Sequence, residues 1–397
     1  MTGSPLSLLH RAWRTLPAGP RRALVRGVTT AMAPRPEKVP PPAGAGMALL
    51  GEFGRPSGLG MGVRLVHQAL GGIGVPALAL DMDAGRAPLP PPGMPLMLHV
   101  NPPSLPLALL GQDRTLLRGR RVVGMWNWEL PVVPDAWRDG FRFVHEVWVT
   151  SRFTAEAMAA VAPAGMAVRV VNYPLAVAPP VPAAMGREAF RLPAAALVVL
   201  VSFNLASSFV RKNPLAAVAA FRAAFGDRAD RVLVLKVGHP GHFPEDFALL
   251  QKAVAGMANV RIETREMALG EVHALTACAD IVLSLHRSEG FGLVPAEAML
   301  LGRPVVATGW SGNMDFMDAD SAALVPFTLV PAQDPRGVLE VPGAVWAEPD
   351  IGAAADALRR LADDPAVRSA LGARGQAKAR ASLGVESLAV ALRAFTA

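Results

Sequence analysis

Short and nearly uninterrupted apolar runs recur along this chain, and helical patterns separate them. The first half contains MALLGEF, PLMLHVN and EVWVTS, and the second half contains LVVLVSFN, RVLVLKVG and DIVLSLHRS. Strands of this continuous apolar character are typical of parallel sheets whose two faces are both covered by helices. The recurrence therefore predicts an α/β fold built from doubly wound sheets.

The runs form two series, and proline-rich segments flank them. A chain of 397 residues is also too long for one ordinary core. PRPEKVPPPAGAG precedes the first series, and a second proline-rich segment over 175–193 separates the series. We therefore expect a basic tail and linker over 1–46, a first Rossmann-like domain over 47–185, a second over 186–375, and a C-terminal helix over 376–397 that packs back on the first domain.

Positive charge is concentrated at the start of the chain. The net charge is +7, and residues 1–38 hold seven Lys or Arg against the single acid Glu37, which leaves +1 for all other residues. A nucleic-acid enzyme spreads its positive charge over a working face, so we expect no nucleic-acid partner. Residues 1–38 are instead a candidate arm for an anionic membrane surface. A frayed basic tail and a targeting peptide are the alternatives.

Cysteine content and hydropathy bound the location of the protein. Cys278 is the single cysteine, which excludes an intrachain disulfide and fits a reducing compartment. The longest uncharged run (192–210) contains Pro193 and Asn204, so a buried strand and a polar loop explain it better than a membrane span. We expect a cytoplasmic protein, peripheral at the inner membrane face if the basic arm binds lipid.

The stretch SEGFGLVPAEAMLLGRPVVATG joins a strand to a short helix at the sheet edge where ligands bind. Glu289 lies in the loop, and Glu297 lies in the first turn of a helix expected at roughly 295–301. A helix N-terminus that follows small residues attracts phosphate. Two flanking carboxylates suit the hydroxyls of a ribose and of a second sugar. The alternative is that both acids only favour the helix start.

This stretch resembles the signature of the family-four glycosyltransferases, the retaining group 1 enzymes of the GT-B fold, in which two Rossmann-like domains face a central cleft. Their pattern is E-G-F-G-L and a second Glu, with seven residues between the two acids, and G-x-P-V-V-A downstream matches too. The resemblance implies that Glu289 contacts the donor sugar and that Glu297 binds the nucleotide ribose. It also implies that loop amides hold the distal part of the donor and its phosphate. The loop residues are Gly290, Phe291, Gly292 and Leu293.

Cations should face the diphosphate that leaves. SSFVRKNP supplies Arg211 and Lys212, and the resemblance implies that Lys212 binds the diphosphate. An arginine common in the family a few residues upstream is absent here, so Arg211 or Lys236 is the candidate second cation. No Cys/His cluster has metal-ligand spacing. We expect neither a metal nor a cofactor, and a GDP- or UDP-linked sugar as the substrate.

Two further loops resemble parts of the family's cleft. GEFGRPSGLGMG resembles a glycine-rich loop that approaches the diphosphate and the acceptor, where Gly58 and Gly60 allow close backbone approach. A plain tight turn is the alternative. The loop after RPVVATG lies close to the donor sugar in the family. Its candidate donor contacts are Ser311, Gly312 and Asn313.

MWNWELP crowds aromatic and acidic side chains at a strand end. Aromatic faces suit sugar rings and carboxylates suit their hydroxyls, so Trp128 and Glu129 are candidate cleft residues. A subgroup of the family carries a similar W-E-L-P run before V-W-V-x-S-R-F, which is also present here. Core packing with a helix cap is the alternative. His99 also ends a strand at the cleft and is a candidate, with a structural role as its alternative.

The combined prediction is a retaining hexosyltransferase that acts on a hydroxyl of a glycan or lipid-linked glycan, in cell-surface polysaccharide or glycolipid synthesis. One alternative is a catalytically silent, membrane-associated GT-B scaffold. Another is a GT-B epimerase or phosphorylase. A nicotinamide-dependent oxidoreductase is disfavoured, because SGLGMGVR lacks the third glycine spacing of G-x-G-x-x-G.

Overall fold

The structure is a computed structural model that describes residues 18–397. A six-stranded sheet lies at the centre of the first half, in the order β2-β1-β3-β4-β5-β6. All of its pairings are parallel. Its strands are β1 (Met47–Gly51), β2 (Ala77–Asp81), β3 (Leu96–His99), β4 (Val122–Trp126), β5 (Glu146–Val149) and β6 (Ala167–Val170).

A second six-stranded sheet follows, in the order β12-β11-β10-β7-β8-β9, and it is also parallel throughout. Its strands are β7 (Leu197–Asn204), β8 (Arg231–Gly238), β9 (Val260–Glu263), β10 (Ile281–Ser284), β11 (Val305–Thr308) and β12 (Ala323–Val325). The α/β prediction of two doubly wound sheets is confirmed. We call the surroundings of each sheet the first and second domain, while the boundaries proposed at 46, 185 and 375 stay predictions.

Helices cover both faces of the sheets, as the continuous apolar strands require. In β1, Met47 and Leu49 belong to one hydrophobic cluster, whereas Ala48 and Leu50 belong to another. Successive side chains of a strand point to opposite faces, so both faces of this strand are buried. The helices are α1 (Ala18–Met32), α2 (Gly58–Gly72), α3 (Leu105–Leu110), α4 (Arg152–Ala159), α5 (Phe209–Lys212), α6 (Pro214–Phe225), α7 (Pro244–Ala253), α8 (Leu269–Cys278), α9 (Leu293–Leu300), α10 (Ile351–Asp363), α11 (Pro365–Ser382) and α12 (Glu386–Thr396).

The N-terminal arm is partly described. Residues 1–17 of the predicted arm lie outside the described residues, and α1 follows them. Pro20 lies in the first turn of α1, where a missing N–H costs nothing, so it does not interrupt this helix. Among residues 18–397, no helix is both long and apolar enough to cross a membrane.

Two features depart from the sequence analysis. The glycine-rich segment is helical from Gly58, because the Ser57 hydroxyl accepts the N–H of Gly60 and caps α2 there. In addition, an antiparallel ribbon of β13 (Phe327–Pro331) and β14 (Val345–Pro349) lies outside both parallel sheets. Neither apolar periodicity nor a helical pattern indicates this ribbon.

The chain passes between the domains twice, and the two passages touch. The first follows β6, and the second lies between α11 and α12. The N–H of Ala176 in the first passage donates to the carbonyl of Leu383 in the second, at 2.9 Å. Helix α12 then lies against the first domain, where Phe395 packs edge-on against Trp148 at 5.7 Å between ring centroids.

Candidate active site

A cleft of about 620 Å³ lies between the two domains, at the carboxyl ends of strands from both sheets. This is the edge at which parallel α/β sheets bind their ligands. From the first domain it is lined by Glu52, Ser57, Gly58, Leu59, Asn101, Asn127, Glu129 and Tyr173. From the second domain its polar or loop lining includes Ser202, Asn204, Ser207, Arg211, Lys212, Lys236, Glu289, Gly290, Phe291, Gly292 and Leu293.

A buried carboxylate and two cations form the polar centre of this cleft. The Lys212 ammonium lies 2.6 Å from one oxygen of Glu289, and the Arg211 guanidinium lies 3.1 Å from the other. Lys212 ends α5, and Glu289 follows β10, so the tertiary fold joins residues 77 positions apart. The structure thus brings together the three residues predicted to be catalytic.

These three groups set each other's ionisation. Burial alone raises the pKa of the Glu289 carboxyl, but Lys212 and Arg211 outweigh that effect and lower it to about 2. Burial lowers the pKa of Lys212, and Glu289 offsets part of that change. Burial also acts to lower the pKa of Arg211, but Glu289 and Glu129 outweigh it and raise the pKa. Glu289 is therefore a carboxylate at neutral pH and has no proton to donate.

The loop after Glu289 presents backbone to the cleft. The Phe291 side chain is buried, and its ring packs on Tyr173 and Phe316 at 5.3 and 5.1 Å. Gly292 caps α9 with a φ of 99°, a conformation that favours glycine. Because the Phe291 side chain is buried, the polar groups that residues 290–293 present to the cleft are main-chain amides. This is the arrangement that the family signature implies for holding phosphate.

Two glycines allow close backbone contacts beside Glu289, one of them between the domains and the other within the second domain. A Cβ added to Gly290 would lie 2.7 Å from the carbonyl oxygen of Trp128 in the first domain. A Cβ added to Gly312 would lie 2.3 Å from the carbonyl oxygen of Gly290. The Ser151 hydroxyl also donates to that Gly290 carbonyl at 2.6 Å. The loop that carries Glu289 is therefore fixed from both domains.

Ser311, Gly312 and Asn313 lie behind Glu289 and do not line the cleft. The Ser311 hydroxyl accepts the N–H of Glu289 at 2.8 Å. Asn313 is fully buried, bonds His286 at 3.0 Å and donates to the Thr308 carbonyl at 3.1 Å. This differs from the expected direct contacts with the donor sugar, because the three residues form the support of the Glu289 loop.

Lys236 and Glu297 lie in different cavities. Lys236 lines the cleft, donates to the Arg265 carbonyl at 2.9 Å, and has its pKa lowered by burial. Glu297 lines a second cavity of about 550 Å³, between α2, residues 175–181 and α8. Its carboxylate lies 3.6 Å from His273 Nε2, which has no hydrogen-bond partner among the described residues.

The candidates of the first domain divide between wall and core. Glu129 lines the cleft and lies 3.6 Å from the Arg211 guanidinium. Gly58 also lines the cleft, at the start of α2. Gly60 does not line it, since a Cβ there would lie 2.2 Å from the Arg55 carbonyl oxygen of its own loop. The close approach that Gly60 permits is therefore internal to the first domain.

Trp128 and His99 are core residues and do not line the cleft. Trp128 is buried, packs on Trp137 at 4.8 Å and donates its indole N–H to the Val132 carbonyl. His99 is fully buried, and its Nε2 lies 3.0 Å from the Tyr173 hydroxyl. Burial lowers the pKa of His99 to about 4. For both residues the structural alternative is the one observed.

Sequence reasoning missed the polar residues that do line the first wall. The Tyr173 hydroxyl donates to Asn127 Oδ1 at 3.0 Å, and the Asn127 Nδ2 group has no hydrogen-bond partner among the described residues. The Asn127 N–H donates to the Asn101 side chain, which donates back to the Asn127 carbonyl. The signal was available, because Asn101 and Asn127 follow strands at their carboxyl ends.

Within 18–397, no three or more His, Cys, Asp or Glu side chains come together as a candidate metal site.

Comparison with solved structures identifies the fold. The chain is similar to Anabaena HepE in complex with UDP and glucose, with 14% identity, a TM-score of 0.63, and coverage of 88% of this chain and 100% of that one. It is also similar to sucrose-phosphate synthase from Thermosynechococcus elongatus, with 19% identity, a TM-score of 0.62, and coverage of 88% and 98%. A third similar structure is a glycosyltransferase from Rickettsia africae, with 12% identity, a TM-score of 0.63, and coverage of 88% of this chain and 98% of that one. These likenesses show the GT-B fold.

A family comparison identifies the class of the second domain. Residues 204–364 match the family described as Glycosyl transferases group 1. No curated protein is similar enough in sequence to count as a match. The resemblance is confirmed at the level of the group 1 family and the GT-B fold: residues 204–364 form a group 1 glycosyltransferase domain within that fold.

Proposed function

We propose that this glycosyltransferase moves a hexose from a nucleotide-diphosphate sugar to a hydroxyl of a glycan or lipid-linked glycan, with retention at the anomeric carbon. The observation that carries the proposal is the buried Glu289 carboxylate between Lys212 and Arg211, in the cleft between the domains. A scaffold without a ligand has no need of such a cluster, since even paired charges lose their hydration at a cost when they are buried.

The donor is proposed to lie along the second-domain wall. Lys212 and Arg211 bind the diphosphate together with the amides of Phe291, Gly292 and Leu293, and Lys236 is a further cation on the same wall. The nucleoside extends to the second cavity, where Glu297 accepts the ribose hydroxyls. The HepE structure bound to UDP and glucose supports a nucleotide sugar of this kind. GDP-linked and UDP-linked donors both remain candidates.

The proposed chemistry uses these positions. The acceptor oxygen forms a bond to the anomeric carbon on the face that the diphosphate leaves, and the bond from that carbon to the diphosphate oxygen breaks. The departing phosphate oxygen takes the proton of the acceptor hydroxyl, so the products are a glycoside and a nucleoside diphosphate. Lys212, Arg211 and the loop amides stabilise the charge that develops on the diphosphate. Glu289, which is ionised, accepts hydrogen bonds from the sugar hydroxyls.

A donor screen tests the proposal. The purified protein is incubated with UDP-, GDP- and ADP-sugars in EDTA, and release of nucleoside diphosphate is measured beside Lys212→Ala and Glu289→Ala. We expect release from one donor, a loss of roughly a hundredfold or more in both variants, and an unchanged anomeric configuration of the product by NMR. Silence across the panel, with no thermal shift on adding nucleotides, would establish the scaffold instead. A product still attached to its nucleotide would establish an epimerase.

We further propose that α1 attaches the enzyme to an anionic membrane surface, at the inner face of the cytoplasmic membrane. Leu24, Val28 and Met32 lie one turn apart on α1 and are 53%, 48% and 53% exposed, whereas Thr30 is buried. Leu107, on the neighbouring α3, is 63% exposed. Arg21 precedes Leu24 and Arg26 lies between Leu24 and Val28 in the sequence, and α1 contains no acid. Exposed apolar side chains flanked by cations suit the interface of an anionic bilayer.

Vesicle flotation tests the attachment. The protein should float with vesicles that contain anionic lipid, less with neutral vesicles, and less at high salt. Leu24→Asp with Val28→Asp should weaken binding at least tenfold, and deletion of 1–38 should do the same. Leu249→Asp, at a position on α7 that is 52% exposed, is the matched control and should bind as the wild type does. Equal binding by all variants would refute attachment through α1.

A further inference from the structure

The ribbon β13–β14 and its loop, residues 332–344, are ordered by a buried acid. Asp334 is 3% exposed, and its carboxylate accepts the N–H groups of Arg336 at 3.3 Å and Leu339 at 3.0 Å. These bonds shape residues 334–339 as a turn that contains Arg336. The apolar loop residues Leu339 and Val341 are buried in the same hydrophobic cluster as the first-domain core.

Arg336 joins this loop to the turn that follows β7. Its Nη1 donates to the carbonyl of Leu205 at 2.9 Å and to that of Ser207. Its Nε lies 3.1 Å from Asp246, and its guanidinium stacks over the Phe243 ring at 3.3 Å. A planar group with five donors makes all of these contacts at once, and no other side chain has that geometry.

The turn held by Arg336 leads directly into the cationic pair of the cleft. Residues 205–207 precede α5, a single helical turn that ends with Arg211 and Lys212. The Ser207 hydroxyl accepts a hydrogen bond from Arg211 Nη2 at 2.8 Å. Arg336 therefore fixes the backbone of the residue whose side chain orients Arg211.

Strand β14 is also linked to this helical turn, through Arg287. Arg287, two residues before Glu289, pairs with Glu348 at 2.6 Å and donates to the Val210 carbonyl at 2.8 Å. The N–H of Ala347 donates to the Arg287 carbonyl at 2.9 Å. The ribbon thus contacts α5 through Arg287 and the turn before α5 through Arg336.

We propose that the ribbon is the positioning element of the diphosphate site and that Arg336 is its principal positioning residue. The inference rests on the proposed function in one respect, namely that Arg211 and Lys212 bind a diphosphate. Arg336 touches neither the cleft nor the substrate. It acts by holding the turn from which both cations project, so its loss should affect the diphosphate part of a ligand and spare the nucleoside part.

Calorimetric titration of Arg336→Met tests the proposal. Wild type and variant are titrated with UDP, GDP, uridine and guanosine. We expect the variant to bind the nucleoside diphosphate roughly tenfold more weakly, the scale of a lost hydrogen bond to a charged group, and to bind the matching nucleoside within twofold of wild type. Asp246→Asn is the matched control, because it leaves both carbonyl bonds of Arg336 in place, and both affinities should stay within twofold.

Each outcome decides the matter. Equal diphosphate affinity in wild type and Arg336→Met would overturn the proposal, and so would an equal loss for nucleoside and diphosphate, which general distortion produces. If Arg336→Met does not fold, Arg336→Lys carries the same comparison, since the shorter lysine side chain ends before the position from which Nη1 donates to both carbonyls. If the wild type binds no nucleoside diphosphate, the proposed function itself fails, and that result is recognised before any variant is compared.

Discussion

The two walls of the cleft carry opposite charge. The second-domain wall holds three cations, Arg211, Lys212 and Lys236, and the one acid Glu289, a sum of +2. Among residues 18–397, the first-domain wall holds the acids Glu52 and Glu129 and no cation, a sum of −2, and its other polar groups are neutral amides and hydroxyls. The difference in charge indicates which part of the substrates each wall binds. Anionic phosphates suit the second domain, and hydroxyl-rich neutral groups suit the first.

The largest expected effect compares the acids of the two walls. Glu289→Gln should lower kcat by roughly a hundredfold or more, because it removes the charge between two buried cations. Glu129→Gln should lower it by roughly tenfold at most, since Glu129 lies farther from Arg211. Initial rates at saturating donor measure both, with thermal melting as the check on folding. An equal loss of kcat in both variants would contradict the prediction that the second-domain wall contributes more to catalysis than the first.

The second prediction concerns stability at low pH, where His99 in the first domain and Glu289 in the second lose their contributions in different pH ranges. His99 has a folded pKa of about 4 against an ordinary value of 6.5, so the unfolded state takes up the proton first. Stability should therefore fall by roughly 3 kcal/mol between pH 6.5 and 4 on account of His99. The contribution of Glu289, with a folded pKa of about 2 against an ordinary 4.5, is complete above pH 4.5 and is lost as pH falls through 2.

Urea unfolding at several pH values between 7 and 4 measures the His99 effect. His99→Gln keeps a hydrogen-bonding side chain but does not titrate, so its free energy of unfolding should depend less on pH over that range. The same pH dependence in wild type and variant would assign the effect to another group.

The smallest expected effect concerns the neutral network of the first wall. Tyr173→Phe removes the hydroxyl that lies between His99 and Asn127. Asn127 keeps its backbone bonds to Asn101, so we expect a loss of only three- to tenfold in kcat/KM, the scale of one neutral hydrogen bond. Steady-state kinetics measures this loss. A loss as large as that of Glu289→Gln would place the network at the centre of the chemistry and would erase the contrast between the walls.

Local patterns were enough to predict the sheets and the charged residues of the second-domain wall. Continuous apolar runs indicated parallel strands. The E-G-F-G-L signature, with its fixed spacing to Glu297, indicated that Glu289 and the loop after it belong to the donor site. Such patterns could not predict that Trp128 and His99 are buried in the core. Whether a side chain at a strand end lines the cleft or enters the core depends on partners distant in sequence, such as Tyr173 for His99. Arg336 was missed for the same reason. AQDPRGV reads only as a turn, and the role of its arginine depends on carbonyls more than 120 residues away.

The paired passages between the domains have a mechanical consequence. A single flexible tether lets two bodies swing and twist independently, whereas the backbone bond between Ala176 and Leu383 ties both passages into one pivot. Motion of one domain against the other is then confined largely to rotation about that pivot. In such a rotation, residues at the mouth of the cleft move farther than residues at the pivot. Across the cleft, the Arg211 guanidinium already lies 3.6 Å from Glu129, so rotation about the pivot opens the cleft to a substrate and returns the two charged walls to contact with only small backbone changes.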